Sequence, residues 1–376
     1  MRVLHVMECT IGGTRRHLVD VARGQRARGM DVHVVASTLR DPDFPADLDR
    51  LEQQGVQVTR LDMRREIAPS VDRVHLAELK AILRAKRPDI VHTHSSKAGV
   101  LGRQASLVTK VGRRVHSPHT FAFLFRALFP WHKRLLYQAI EGHFGFRSQA
   151  IVAVSPSEAL SFQKTWAVPS KRIRVVPNGI DPSRFAGAEA VNWADFGLDP
   201  TRPTALVVGL VYAAKGQDLA LKALARPGLE ELQLVCAGPG DLSAIEAQVA
   251  RLGLGKRVRL LGARRDVPAL LAACDFLCLP SRWEGMPYVV LEAMAAERAV
   301  LATPVNGAVD AVQVPSTGLL TGGIDVDSIA DGMGQMLAAG SHGRRAMGLA
   351  GRAWLEGRYT ISAMLDGLQK VYEEVL

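Results

Sequence analysis

Aromatic residues make up only 6% of this 376-residue chain, and cysteine appears four times. Cys9, Cys236, Cys274 and Cys278 contain no Cys-x-x-Cys pair. That argues against a disulfide framework or a zinc ribbon and for plain core thiols in a reducing compartment. No run of about 18 apolar residues occurs, so no membrane-spanning helix is expected. The opening MRVLHVMECTIGG lacks the apolar segment and cleavage site of a secretory signal and reads as a first strand. A cytoplasmic protein is expected, with the cytoplasmic face of a membrane as its outer limit. Acidic residues are missing between Asp89 and Glu141, where Lys97, Arg103, Lys110, Arg113, Arg114, Arg126, Lys133 and Arg134 all fall. Such a stretch is expected to form a face that attracts polyanions: phospholipid head groups, a diphosphate-linked acceptor or nucleic acid.

What is present fits a globular protein, 48% hydrophobic and 22% charged, with length for two domains. Residues 1–187 carry a net charge of +14 and residues 188–376 one of −4, so the basic excess belongs to the first half. Strand-like runs (RVLHVME, DVHVVAS, VQVTRL, DIVHTH, RRVHSPH, QAIVAVS, RIRVVPNGID) alternate with helical ones near residues 15–28, 46–54, 71–86 and 98–110. This is βαβ alternation and predicts an α/β fold with a mostly parallel sheet covered on both faces. Ligands in such sheets bind at the carboxyl ends of the strands, where Gly12-Gly13, His92 to Lys97 and His116 to Phe121 fall. The pattern breaks over Asp181 to Pro203, read as a linker with a short helix. A second series follows: TALVVGL, LQLVCAG, VRLLG, DFLCLP and AVLAT, with helices between them. The expected domains are 1–183 and 184–359, both Rossmann-like, with a last helix at about 360–376 packing back on the first.

The richest stretch is SRWEGMPYVVLEAM, Ser281 to Met294. An apolar strand runs into Pro280, and Leu291 to Ala295 are good helix formers. Pro287 suits the first helical position, because its fixed φ fits and it has no N–H to satisfy. The backbone N–H groups of Tyr288 and Val289, at the positive end of the helix dipole, make a seat for phosphate. Glu284 lies just before that seat and Glu292 inside the helix. Two acceptor-only carboxylates can take hydrogen bonds from hydroxyls on either side of a diphosphate. A nucleotide sugar has that shape.

Several stretches, in order, resemble the retaining glycosyltransferases of family four: GGTRRHLVDVARGQRARGMDVHVVAS, DIVHTHSSKAGVLGR, HSPHTFAF, VAVSPSE, VVPNGID, VVGLVYAAKG, CAGPGD and PSRWEGMPYVVLEAMAA. The resemblance implies a GT-B fold, two Rossmann-like α/β/α domains facing across a cleft. It also implies retention of anomeric configuration, no cofactor and no divalent metal. The donor nucleotide sugar would be held mainly by the second domain, and a saccharide or polyprenyl-diphosphate-linked acceptor mainly by the first. A UDP-sugar is the first expectation and a GDP-sugar the second, serving cell-surface polysaccharide or glycolipid synthesis. The implied catalytic residues are His119, Glu284 and Lys215. Glu284 would face the transferred sugar, Glu292 the ribose, and Lys215 the phosphates. Gly12, Gly13, Gly209, Gly285, Met286, Pro287 and Tyr288 would complete the donor site, and Arg16, His17, His94 and Lys97 would meet the acceptor beside His119. One departure stands out: family members often carry Gly-Arg-Leu before the lysine motif, whereas here Gly209 is followed by Leu210. The lost charged hydrogen bond is worth about 1.5–3 kcal/mol, and Arg282, Arg264 or Arg265 is expected to supply it.

Rival readings are weaker. The Asp-x-Asp triplets at Asp41, Asp47 and Asp325 read as solvated turns and helix caps rather than a metal site. No nucleic-acid motif accompanies the basic half, so no nucleic acid is expected. Gly238-Pro-Gly240 lacks the third glycine of a dinucleotide loop. A same-fold epimerase, phosphorylase or non-catalytic nucleotide-sugar binder is the nearest alternative. The segment 121–146 holds Phe121, Phe123, Phe125, Phe129, Phe144 and Phe146, with Trp131 and Tyr137. It reads equally as a core helix pair and as an amphipathic surface for an anionic membrane.

Overall fold

The valine- and leucine-rich runs become short strands, and those in the middle of each sheet are buried along most of their length. The computed structural model describes residues 1–124 and 128–376, and contacts divide it into two units. The first comprises Met1–Asn178 and Ile361–Leu376, the second Gly179–Thr360. Phe125 and Arg126 lie outside the described residues.

The first unit contains β1 (Arg2–Met7), β2 (Asp31–Ala36), β3 (Gln57–Arg60), β4 (Ile90–His94), β5 (Arg113–Ser117), β6 (Ala150–Ala153) and β7 (Ile173–Val175). Among the described residues they form one parallel sheet in the order β3-β2-β1-β4-β5-β6-β7. The connecting helices are α1 (Gly12–Ala27), α2 (Phe44–Gln53), α3 (Pro69–Lys86), α4 (Ser96–Thr109), α5 (Trp131–Gly145) and α6 (Pro156–Gln163). Strand order reverses between β1 and β4, and a crevice opens at such a switch point in α/β sheets. Asp47 lies inside α2 rather than in a loop, and it pairs with Arg15.

The second unit contains β8 (Thr204–Val208), β9 (Gln233–Ala237), β10 (Val258–Leu260), β11 (Phe276–Leu279), β12 (Ala299–Ala302) and β13 (Gly318–Leu320), parallel in the order β10-β9-β8-β11-β12-β13 among the described residues. Its switch point lies between β8 and β11. β13 was not expected. Its helices are α7 (Gln217–Leu224), α8 (Ser243–Arg251), α9 (Val267–Ala273), α10 (Tyr288–Ala295), α11 (Ala308–Ala311), α12 (Val326–Ala338) and α13 (Gly340–Leu355). Asp325 caps α12 by accepting from the Ser328 N–H at 2.8 Å. The stretch read as a linker is packed onto this unit: Trp193 is buried, and its indole N–H donates to the Ala273 carbonyl at 3.1 Å.

The last helix, α14 (Ile361–Val375), belongs to the first unit. Met364, Leu365, Leu368, Val371 and Tyr372 fall on one helical face and are buried. Met364, Leu368, Val371 and Tyr372 join Leu18, Val21 and Ala22 of α1 in one core cluster. Gly24 makes the approach feasible, because a Cβ there would lie 2.3 Å from Leu365 Cδ1.

The basic stretch does not form one face. Arg103 is fully buried and donates to Glu141 at 2.7 Å, and Lys97 is held by both oxygens of Asp72 at 2.7 and 2.6 Å. Lys110, Arg113 and Lys133 are exposed. The aromatic segment divides likewise. Phe121 and Phe123 are buried in a cluster with Phe162, and Phe144 is buried under Arg103. Leu128, Trp131, Leu135, Leu136 and Phe146 are exposed, Trp131 at 71%. Among the described residues, no helix is long and apolar enough to cross a membrane.

Candidate functional site

At the second unit's switch point, the loops that leave β8 and β11 are fastened together. After β8 the chain passes Gly209 and Leu210, forms a short turn at Ala213–Lys215 and bends at Gly216, whose φ is +67°. A Cβ on Gly216 would lie 1.9 Å from the Pro280 carbonyl oxygen, so only glycine allows this contact. The Arg282 N–H donates to the Ala214 carbonyl at 2.7 Å. The Lys215 ammonium donates to Glu284 Oε1 at 2.7 Å, and the Ser281 hydroxyl donates to the same oxygen at 2.7 Å. Burial opposes the charge on Lys215, but Glu284 outweighs it and raises the lysine above its ordinary range. Lys215 and Glu284 thus form a partly exposed pair where the two loops meet.

α10 begins at Tyr288, one residue later than expected, because Pro287 is extended and occupies the cap position. Every other residue of α10 is buried while Glu292 is half-buried, which places its carboxylate at the surface of the element. Gly285 is half-buried and Met286 buried in the turn before it. The arginines expected to replace the one missing at Leu210 are engaged. Arg282 grips both oxygens of Asp218 at 2.8 Å, and Arg264 grips Asp266 at 2.8 and 2.6 Å. Arg265 is exposed within the same loop as Arg264.

The first unit's switch point is built from histidine. β4 is buried throughout, yet reads Ile-Val-His-Thr-His. Buried polar side chains must be bonded, and these are. Gln25 of α1 donates its amide N–H to the Tyr372 hydroxyl at 3.1 Å, so its carbonyl oxygen faces His5 Nε2 at 2.8 Å. Burial lowers His5 to about 4 and takes His92, His94 and His119 well below the usual histidine range, so all are neutral near pH 7. The tautomers then follow in order. His5 donates from Nε2 to Gln25 and accepts at Nδ1 from His94 Nε2–H at 3.0 Å. His94 accepts at Nδ1 from His119 Nε2–H at 3.2 Å. His119 is left with its lone pair on Nδ1. On the other arm, the Tyr372 hydroxyl donates to His92 Nδ1 at 2.7 Å, and His92 Nε2–H reaches the Ser117 hydroxyl at 2.8 Å.

His17, on α1, stands edge-on to His119 with ring centroids 4.7 Å apart, and its Nδ1 donates to the Asn178 carbonyl at 3.0 Å. His119 and Thr120 have φ of +50° and +75°, and Ser95, after β4, has +60°. Such strained non-glycine backbone gathers at functional sites. The buried Glu158 carboxylate holds the strained turn, accepting from the Thr120 hydroxyl at 3.1 Å and the Val154 N–H at 2.7 Å. Burial pushes that carboxyl up to about 7. α1 starts at Gly12, with φ +53°, and Gly13; both are exposed behind an apolar cap residue, Ile11.

Of the residues expected at the acceptor, His17, His94 and His119 come together, whereas Lys97 is committed to Asp72 and Arg16 reaches Asp20 at 3.5 Å. His94 is 0% exposed and stands behind His119. Asn178 is buried and fixes His17. Gln25, Tyr372 and Glu158 were not singled out. Only Glu158 left a trace, as the fourth residue of Ser-x-x-Glu at the head of a helix.

Comparisons with known proteins agree with this architecture. The profile described as Glycosyltransferase Family 4 matches residues 11–184, and that described as Glycosyl transferases group 1 matches residues 202–339. An Escherichia coli UDP-Gal:alpha-D-GlcNAc-diphosphoundecaprenol alpha-1,3-galactosyltransferase is 30% identical over 280 residues, 72% of this chain and 71% of that protein. A D-inositol 3-phosphate glycosyltransferase of Segniliparus rotundus is 32% identical over 312 residues, 78% of this chain and 67% of that protein. The Anabaena HepE structure with UDP and glucose superposes with a TM-score of 0.84 at 20% identity, covering 100% of both chains. Sucrose-phosphate synthase of Thermosynechococcus elongatus gives 0.84 at 20% identity, covering 100% of this chain and 98% of that one. The chain belongs to glycosyltransferase family 4, has the GT-B type of fold, and is a glycosyltransferase that draws on a nucleotide-sugar donor.

Proposed function

We propose that this protein transfers a hexose from a UDP-sugar to a lipid-linked saccharide, with retention of anomeric configuration and without a divalent metal as cofactor. The observation that carries the reading is the Lys215–Glu284 pair at the β8/β11 switch point, with Glu292 presented by the helix that follows. Departure of the nucleoside diphosphate leaves charge on its phosphates, and a preorganised cation there supplies the largest stabilisation. Lys215 fills that role. Glu284 accepts hydroxyl hydrogens of the sugar, and Glu292 those of the ribose. The departing phosphate oxygen takes the acceptor proton, so no covalent nucleophile is assigned.

The acceptor is assigned to the first unit, beside His119. With its lone pair on Nδ1, His119 receives a hydrogen bond from a sugar hydroxyl rather than giving one. Uridine is favoured over guanosine because the Escherichia coli relative is named for UDP-Gal and the HepE structure holds UDP. The same relative is named for a diphosphoundecaprenol acceptor, which suits the exposed apolar side chains of α5 beside Lys133 and an anionic cytoplasmic membrane face.

The test is transfer from a panel of UDP- and GDP-sugars to short-chain polyprenyl-diphosphate saccharides, with EDTA present and the product anomer read by NMR. Undiminished transfer in EDTA and a product of the donor's configuration are expected. Sugar turnover without acceptor would point instead to an epimerase, and an inverted product would overturn retention.

A further inference from the structure

The histidines at the β1/β4 switch point form two overlapping triads, His5-His92-His94 and His17-His94-His119, each with donor atoms within 4.8 Å of one another. The inner triad is closed. His5 is engaged by Gln25 and His94, and His92 by Tyr372 and Ser117. The outer triad is arranged differently. His17 gives its Nδ1 hydrogen to Asn178, which sets its lone pair on Nε2. His94 gives its Nε2 hydrogen to His5, which sets its lone pair on Nδ1, facing His119. Two lone pairs are therefore fixed by partners on the far side of each ring, as around bound metals, where ligating histidines donate their other N–H to a carbonyl or carboxylate. The His94 Nδ1 to His119 Nε2 distance is 3.2 Å. Two imidazoles on one tetrahedral zinc, with Zn–N of about 2.0–2.1 Å, stand about 3.3 Å apart. His119 is half-exposed and so gives access from solvent.

We propose that His17, His94 and His119 form a three-imidazole site for a divalent transition metal of the zinc class, and that its occupancy inhibits transfer by engaging His119. The second clause rests on the role given to His119 above; the first does not. On binding, His119 moves its ring hydrogen from Nε2 to Nδ1 by exchange with water, its Nε2 lone pair joins the other two, and the metal keeps one position for water. No net proton is lost. The site regulates the enzyme and is no part of its chemistry.

The experiment is calorimetric titration of the EDTA-stripped full chain with Zn²⁺, alongside cobalt absorption and X-ray absorption of the zinc-loaded protein. One ion per chain is expected, with three nitrogen neighbours at about 2.0–2.1 Å and the intense visible bands of four-coordinate Co²⁺. A variant lacking the exposed His132, His143 and His342 should bind equally well. Asn178→Leu should weaken binding about 10–100-fold while Asn178→Asp retains it. His119→Ala, at the half-exposed end, should abolish it. Binding lost with the three exposed histidines, or six-coordinate oxygen-rich spectra, would overturn the site. A site that binds as described while zinc leaves transfer unchanged would overturn only the inhibitory role.

Discussion

At the scale of the residue, the function proposed above gives Glu284 and Glu292 separable tasks although they sit on one stretch of chain. Lys215→Ala should lower kcat about 100–1000-fold, the range for losing one preorganised donor. Glu292→Gln should mainly raise the donor KM, because ribose contacts are made equally in ground and transition states. Steady-state kinetics with varied donor distinguishes the two; equal effects on both parameters would merge the roles. Glu158 gives a second prediction. Its folded carboxyl titrates at about 7 against an ordinary 4.5, so the folded chain keeps that proton to higher pH than the unfolded chain. Its stabilising contribution is complete below pH 4.5 and is lost as pH rises to about 7, a change of about 3 kcal/mol. Urea midpoints of wild type and Glu158→Gln should therefore diverge across that window. A constant difference would place the Glu158 carboxylate in water.

At the scale of the element, α5 and α14 carry opposite faces of one principle, an apolar stripe that must be covered. In α14 the stripe is covered, and Leu368→Ala should cost about 2–5 kcal/mol in chemical denaturation. In α5 it is open at Trp131, Leu135 and Leu136. Replacing these three by glutamate should abolish flotation with anionic liposomes while leaving transfer to a water-soluble acceptor intact; unchanged flotation would remove the membrane assignment. All strands but β13 and most helices were legible in sequence, because a period of two or 3.6 shows within a few residues; α6, α11 and α13 were not foreseen. The Glu284 turn was legible too, since its chemistry is local. The histidine network was not. Its members come from β1, α1, β4, the turn after β5 and α14, and only sheet order brings these together. The same holds for Lys97 and Arg103, whose partners Asp72 and Glu141 are distant in sequence.

At the scale of the whole molecule, charge and connectivity are unevenly shared. The basic excess of the first half predicts that binding to a diphosphate-linked acceptor weakens with salt more steeply than binding of UDP, measured by calorimetry across ionic strength. The chain leaves the first unit at Asn178 and returns at Ile361. Domains made on the ribosome generally fold from the amino end as they emerge. Here the order is inverted. The second unit is the first to have its complete sequence available, whereas the first waits for α14 to close its core and for Tyr372 to orient Gln25. The histidines of the β1/β4 switch point are consequently among the last groups to be set, after the second unit has been synthesised; on the function proposed above, a nascent chain would hold a donor before it could use one.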